Sequence, residues 1–178
     1  MNHVIHEIAP VFDTSSRILI LGSFPSVKSR EGQFFYHHPQ NRFWAVLSAV
    51  AGEEKPETVE EKRSFLLRNH IAVWDVIASC EIEGSSDSSI RNVVANDLRT
   101  ILDAARIRRI FTNGKTAARL YHQYCEPLSG RPAVTLPSTS PANAAWSLER
   151  LITAWGEEVI VSMILSDEEE SKKRLWNL

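Results

Sequence analysis

Cysteine is scarce in this chain: Cys80 and Cys125 are the only two in 178 residues. That excludes an iron–sulfur cluster, which needs about four ligands, and a disulfide framework of the kind that staples small secreted domains. A reducing, cytoplasmic setting is expected. Long apolar runs are missing too. No stretch approaches the ~20 residues that cross a bilayer, so no membrane partner is expected. The segment from Met1 to Pro10 has no basic start followed by an apolar stretch, so no secretory signal is read there. Neither sign of charge dominates, with 20 Lys and Arg against 22 Asp and Glu. A nucleic-acid-binding face would therefore have to be local. With the acidic run Asp167 to Glu170 set aside, the remainder is slightly basic, which permits a DNA partner without pointing to one.

Several reaction signatures are absent as well. There is no H-E-x-x-H and no paired C-x-x-C, and His37 and His38 are adjacent rather than at ligand spacing. No metal and no other cofactor is expected. Ser23, Ser26, Ser138 and Ser140 lie outside any G-x-S-x-G elbow, which argues against a serine hydrolase. Cys80 and Cys125 read as packed thiols rather than nucleophiles. Asn113-Gly114-Lys115-Thr116 lacks the earlier glycine of a phosphate loop, because Arg109 stands there. It reads as a tight strand–helix turn, where Lys115 could still hold one DNA phosphate at a helix start.

What is present is the composition of a soluble globular protein, 43% hydrophobic and 24% charged, at a length that suits a single domain over residues 1–178. Four short apolar runs read as buried strands: Ile18 to Leu21, Ile71 to Val76, Arg109 to Thr112 and Ala133 to Leu136. Between them lie segments with helical spacing of apolar residues, over Asn41 to Ala51, Asn96 to Ala105 and Ala142 to Trp155. Strands alternating with helices predict a three-layer α/β/α fold around a four-stranded parallel sheet. Val159 to Ile164 is read as a fifth, edge strand, and Glu168 to Trp176 as a final helix. In such a sheet the ligand site lies beyond the carboxyl ends of the strands. The segments there are rich in Gly, Pro, Ser and Asn: Gly22 to Ser26, Asn113 to Thr116 and Pro137 to Asn143, with Asp75 ending the second strand.

One aromatic run is unusual. Phe34-Phe35-Tyr36 precedes a helix start and Phe43-Trp44 follows it, with His37-His38-Pro39-Gln40-Asn41-Arg42 between. Seating the helix accounts for Phe43 and Trp44, and capping could account for Asn41. Neither role explains Tyr36 or Arg42 well.

Taken together, Gly22-Ser23-Phe24-Pro25-Ser26, His38-Pro39-Gln40-Asn41-Arg42-Phe43-Trp44 and Pro137-Ser138-Thr139-Ser140-Pro141-Ala142-Asn143 resemble the uracil-DNA glycosylase superfamily. The middle run also resembles the mismatch-specific uracil-DNA glycosylases, and the sum resembles most the hypoxanthine branch. The resemblance implies a base pocket at the strand ends and damaged DNA as partner, with the protein acting as a monomer. Many superfamily members carry a water-positioning Asn or Asp where Phe24 stands. In the hypoxanthine branch that role falls to the position of Asn41, which is therefore the implied catalytic residue. Standard uracil enzymes place a histidine in the last motif, where this chain has Ser138-Thr139-Ser140. Tyr36 matches the aromatic over the extruded base. Gly22, Ser23, Phe24 and Pro25 are the implied base-binding segment. Ser26 and the loop residues Pro137, Ser138, Thr139, Ser140, Pro141 and Asn143 are the implied DNA contacts.

The chemistry expected of such a site is simple. The target base is turned out of the stack, and the N-glycosidic bond is hydrolysed through an oxocarbenium-like sugar. Asn41 is no strong base, but its carbonyl could orient a water by accepting a hydrogen bond. Asp75, acceptor-only when ionised, would pair with the N1–H of hypoxanthine and repel adenine; capping the strand end is the alternative for it. Ser85 to Ser89, with Asp87, form a polar loop that could line the pocket.

Overall fold

The structure is a computed structural model that describes residues 2–176 and, beyond residue 160, only the side chains of Ser162, Lys172, Leu175 and Trp176. Its strands are β1 (Asn2–Ile5), β2 (Ile18–Gly22), β3 (Ile71–Asp75), β4 (Ile77–Ile82), β5 (Arg91–Ala95), β6 (Arg109–Asn113) and β7 (Ala133–Leu136). Its α-helices are α1 (Val27–Gly32), α2 (Phe43–Ala51), α3 (Val59–Arg68), α4 (Arg99–Leu102), α5 (Lys115–Tyr124), α6 (Glu126–Ser129) and α7 (Leu148–Trp176).

The continuous apolar runs became the central strands. β2 and β3 are buried at every position, as strands covered on both faces must be. They join β6 and β7 in a four-stranded parallel sheet of order β3-β2-β6-β7. Helices surround it: α3 packs on β3, α5 on β6 and β7, and α2 on α7. The chain goes from β2 to β3 on one side, then crosses back to β6 on the other. That order makes the carboxyl ends of β2 and β6 a switch point, where a crevice opens.

A second sheet, antiparallel and of order β1-β4-β5, was not foreseen. Only Val76 separates β3 from β4, so no turn signal marks where the strand read over Ile71 to Val76 ends and a second begins. β1 and β5 are short and largely exposed, with Asn92 at positive φ inside β5. None of them carries a clear apolar signal.

The element assignments are corrected at several points. Val159 to Ile164 is not a fifth strand but part of α7, which runs on to Trp176 and absorbs the separate final helix as well. Its buried residues Leu151, Trp155, Val159 and Ser162 recur at helical spacing. Residues 142–147 are not helical. The carbonyls of Ser140, Asn143 and Trp146 all turn to the Arg42 guanidinium, and α7 starts only after Ser147, whose Oγ accepts from Arg150 N–H at 3.2 Å. Asn96 to Ala105 yields just the short α4, flanked by turns in which Ala104 N–H and Ala105 N–H both donate to Ile101 O. α2 begins at Phe43, two residues later than read, which leaves Asn41 in the loop before it.

Candidate active site

A pocket of about 360 Å³ opens at the switch point. Its floor comes from the ends of β2 and β3. The register pairs Gly22 directly with Asp75. A Cβ on Gly22 would lie 2.4 Å from Asp75 Oδ1 and 3.0 Å from the Tyr36 hydroxyl, so only glycine lets these two groups close over the strand end. Asp75 is 4% exposed. Its Oδ2 meets His6 Nε2 at 2.7 Å, a contact between side chains 2% and 5% exposed. His6 had been given no role.

Tyr36 sits in the left-handed region, at φ 52, a conformation that costs a non-glycine residue of order 1–3 kcal/mol. Its ring stacks on Phe43 at 3.9 Å and 17° and lines the pocket. Phe43 is in turn met edge-on by Trp155 of α7, whose Nε1 donates to Pro137 O at 2.9 Å. The Tyr36 hydroxyl is buried without a hydrogen-bond partner. Burial pushes its pKa up, the Asp75 carboxylate adds to the rise, and the nearby Asn113 side chain opposes it.

The wall is a relay of neutral groups. Thr139 N–H donates to Asn113 Oδ1 at 3.1 Å, which fixes Asn113 with its Nδ2 donating to Thr139 Oγ1 at 3.0 Å. The Thr139 hydroxyl hydrogen is left to donate to Asn41 Oδ1 at 2.9 Å. Phe43 N–H donates to the same Oδ1 at 2.9 Å. Backbone N–H groups anchor both ends, so the amide orientations follow without ambiguity. Both acceptor sites of the Asn41 carbonyl are engaged. The group it leaves without a partner is the Nδ2 amide, a donor, whereas the expectation was that the carbonyl would accept from a water.

Thr139 was expected among the DNA contacts; instead it is wholly buried and turned inward to hold Asn41. Asn113, whose side chain completes the relay, was likewise unassigned. Arg42 closes the structure behind the wall: its backbone N–H donates to Thr139 O at 3.0 Å, and its guanidinium donates to Ser140 O, Asn143 O and Trp146 O.

The remaining expected residues divide. Ser23, Phe24, Pro25, Ser26, Ser138, Ser140 and Pro141 line the pocket with Gly22, Tyr36, Asn41 and Asp75. Ser26 also caps α1, accepting from Ser29 N–H at 3.2 Å. Lys115, Pro137 and Asn143 are not among the lining residues. Lys115 is exposed at the start of α5, while Asn143 Nδ2 donates to Ser138 O at 3.0 Å and braces the loop. Gly114, at φ 95, brings that turn so close that a Cβ would stand 3.1 Å from Ser138 Cβ. Ser85 and Asp87 reach the rim as the polar loop suggested. Ser23 Oγ donates to Asp87 Oδ1 at 3.3 Å, while partial desolvation raises the Asp87 pKa. Among the described residues no three His, Cys, Asp or Glu side chains gather as a metal site would require.

Comparison with known proteins agrees with this geometry. Residues 9–158 match the family model described as the uracil DNA glycosylase superfamily, a span that leaves out His6. A protein of Methanosarcina acetivorans named hypoxanthine DNA glycosylase is 36% identical over 145 residues, covering 79% of this chain and 89% of that protein. One of Methanosarcina barkeri with the same name is 33% identical over 153 residues, covering 83% and 93%. A solution NMR structure from Methanosarcina acetivorans, described as a candidate uracil DNA glycosylase, superposes with a TM-score of 0.73 at 33% identity over 85% of this chain and 93% of that one.

Proposed function

Because the chain belongs to the uracil DNA glycosylase superfamily, we propose that it removes hypoxanthine from deoxyinosine in DNA by hydrolysing the N-glycosidic bond, leaving an abasic site. The observation that carries this reading is the pairing of an amide donor, Asn41 Nδ2, with an acidic acceptor, Asp75, around one pocket at the sheet's switch point. The names of the two Methanosarcina relatives support the choice of base.

The extruded base stacks on the free side of the Tyr36 ring, continuing the Phe43–Tyr36 stack. Base–aromatic stacking of ~1–3 kcal/mol offsets part of the few kcal/mol that unstacking costs. Asp75 Oδ1 accepts from hypoxanthine N1–H; adenine presents an acceptor at that atom and is repelled. Asn41 Nδ2 donates to the attacking water and fixes it on the far face of the sugar. A loose, oxocarbenium-like transition state needs the water placed more than activated, so an amide suffices. No lysine lines the pocket among the described residues, which supports hydrolysis without Schiff-base strand cleavage.

The hydroxyls of Ser138 and Ser140 face the DNA phosphates, with Ser26 and Lys115 as outlying contacts. Their backbone neighbours are already engaged, since Ser140 N–H donates to Ser138 Oγ and Ala142 N–H to Ser140 Oγ. No described helix is long and apolar enough to cross a membrane. Both cysteines are free and buried, and burial pushes the Cys125 thiol up to about 11, which suits inert thiols in a reducing cytoplasm.

Labelled duplexes carrying inosine, uracil or a G·T mismatch, treated with hot alkali after incubation, test the proposal. Breaks at inosine are expected. Breaks at uracil or G·T alone would replace it with mismatch-specific uracil or thymine excision. Retarded mobility without breaks would make the protein a damage-binding module.

A further inference from the structure

β1 ends beside the pocket floor, and its ladder with β4 continues one step further, where His6 N–H donates to Ala78 O at 2.8 Å. This delivers the His6 ring beneath Asp75. The tautomer follows from its neighbours. Ile8 N–H can only donate, and it lies 3.2 Å from His6 Nδ1. Nδ1 is therefore the bare nitrogen, and the ring hydrogen on Nε2 is donated to Asp75 Oδ2 at 2.7 Å. The ring is held against Phe24, edge-on at 6.0 Å, and Phe35 at 6.1 Å, both of which line the pocket.

With Oδ2 tied from below, the carboxylate cannot rotate freely about its own bond. Oδ1 is left lying over Gly22, beside the Tyr36 hydroxyl. We infer that His6 is a positioning residue for base recognition: it holds Asp75 so that one oxygen, and no other polar group of the pair, is offered to the N1–H of the extruded base. This rests on the reading of Asp75 as the base-contacting acceptor. It makes the small antiparallel sheet, and not only the parallel one, part of the specificity apparatus. Released from His6, Asp75 would turn to the unpartnered Tyr36 hydroxyl and withdraw its acceptor from the base.

The test compares His6→Gln with His6→Met, side chains of nearly one shape that differ in the donor amide. Steady-state kinetics are run on an inosine duplex, with thermal melting to confirm folding. His6→Met should raise KM about tenfold with kcat little changed, the pattern of a lost contact made equally in ground and transition states. His6→Gln should recover most of that loss. Equal behaviour of the two folded variants would overturn the inference. Asp75→Ala is measured in parallel. If it leaves KM and base preference unchanged, the reading of Asp75 itself falls. If it raises KM while His6→Met does not, the role of His6 alone falls.

Discussion

The wall and the floor of the pocket solve different physical problems. The wall is a line of neutral dipoles, Asn113 to Thr139 to Asn41, in which both amide carbonyls are engaged and the ends are pinned by backbone N–H groups. The floor is a carboxylate buried beside an unpartnered phenol and tied by one imidazole. A neutral relay fixes orientation at little desolvation cost. A buried carboxylate is costly to hold, yet it distinguishes a donor from an acceptor far more sharply than an amide does, because charge-assisted hydrogen bonds are about twice as strong as neutral ones. The division suggests that turnover resides in the wall and choice of base in the floor.

Asn41→Ala is the strongest way to break that division. Removing a preorganised donor costs on the order of 10²–10³ in kcat where it serves the transition state. The loss should fall on single-turnover rate, while gel-shift affinity for an inosine duplex and the preference for inosine over adenine stay close to wild type. The Phe43 N–H and the Thr139 hydroxyl each lose an acceptor, a cost of about 1–3 kcal/mol apiece, so the protein should be less stable but still folded. A variant that turns over normally, or one that loses base preference along with rate, would show that wall and floor are not separable.

Thr139→Val sharpens the comparison without touching a group at the pocket mouth. The substitution keeps the shape but strips the hydroxyl from between Asn113 Nδ2 and Asn41 Oδ1. Two buried polar atoms each lose a partner, so stability should fall by about 1–3 kcal/mol in urea unfolding. With the Asn41 amide held only by Phe43 N–H, kcat should drop about tenfold while KM holds. Thr139→Ser, which restores the hydroxyl, should recover the rate. If KM rises and kcat does not, the relay is serving binding and the assignment of roles is reversed.

How much of this was legible in the sequence depended on whether a signal was local. β2 and β3 announced themselves because parallel strands buried on both faces must be apolar throughout, and β6 and the edge strand β7 because their short apolar runs end in turn residues. Their loop ends, and with them Gly22 and Asp75, were readable for the same reason, whereas Asn41 was singled out by the family resemblance of the run from His38 to Trp44. His6 was not, because its partner lies 69 residues away and β1 exposes most of its residues. Thr139 shows a different limit. A threonine in a Ser-Thr-Ser loop carries no mark of which way its hydroxyl faces, and the inward turn is set by Asn113 across the sheet. The misread strand at Val159 to Ile164 was recoverable. Its β-branched composition suggested extended chain, but the spacing of Leu151, Trp155 and Val159 already continued the helical face through it.

The smallest expected effect lies where wall and floor meet, at the Tyr36 hydroxyl. A buried hydroxyl with no partner costs free energy, and removing it leaves the ring stack on Phe43 intact. Tyr36→Phe should therefore raise stability by up to about 1 kcal/mol, seen as a Tm gain of roughly 2–4 °C. Turnover on inosine should stay within about twofold, since stacking uses the ring face and not the oxygen. With Asp75 still tied to His6, KM should also stay close to wild type. A tenfold loss of rate in a folded Tyr36→Phe protein would mean that the hydroxyl itself meets the substrate, and that the floor contributes to chemistry as well as to choice.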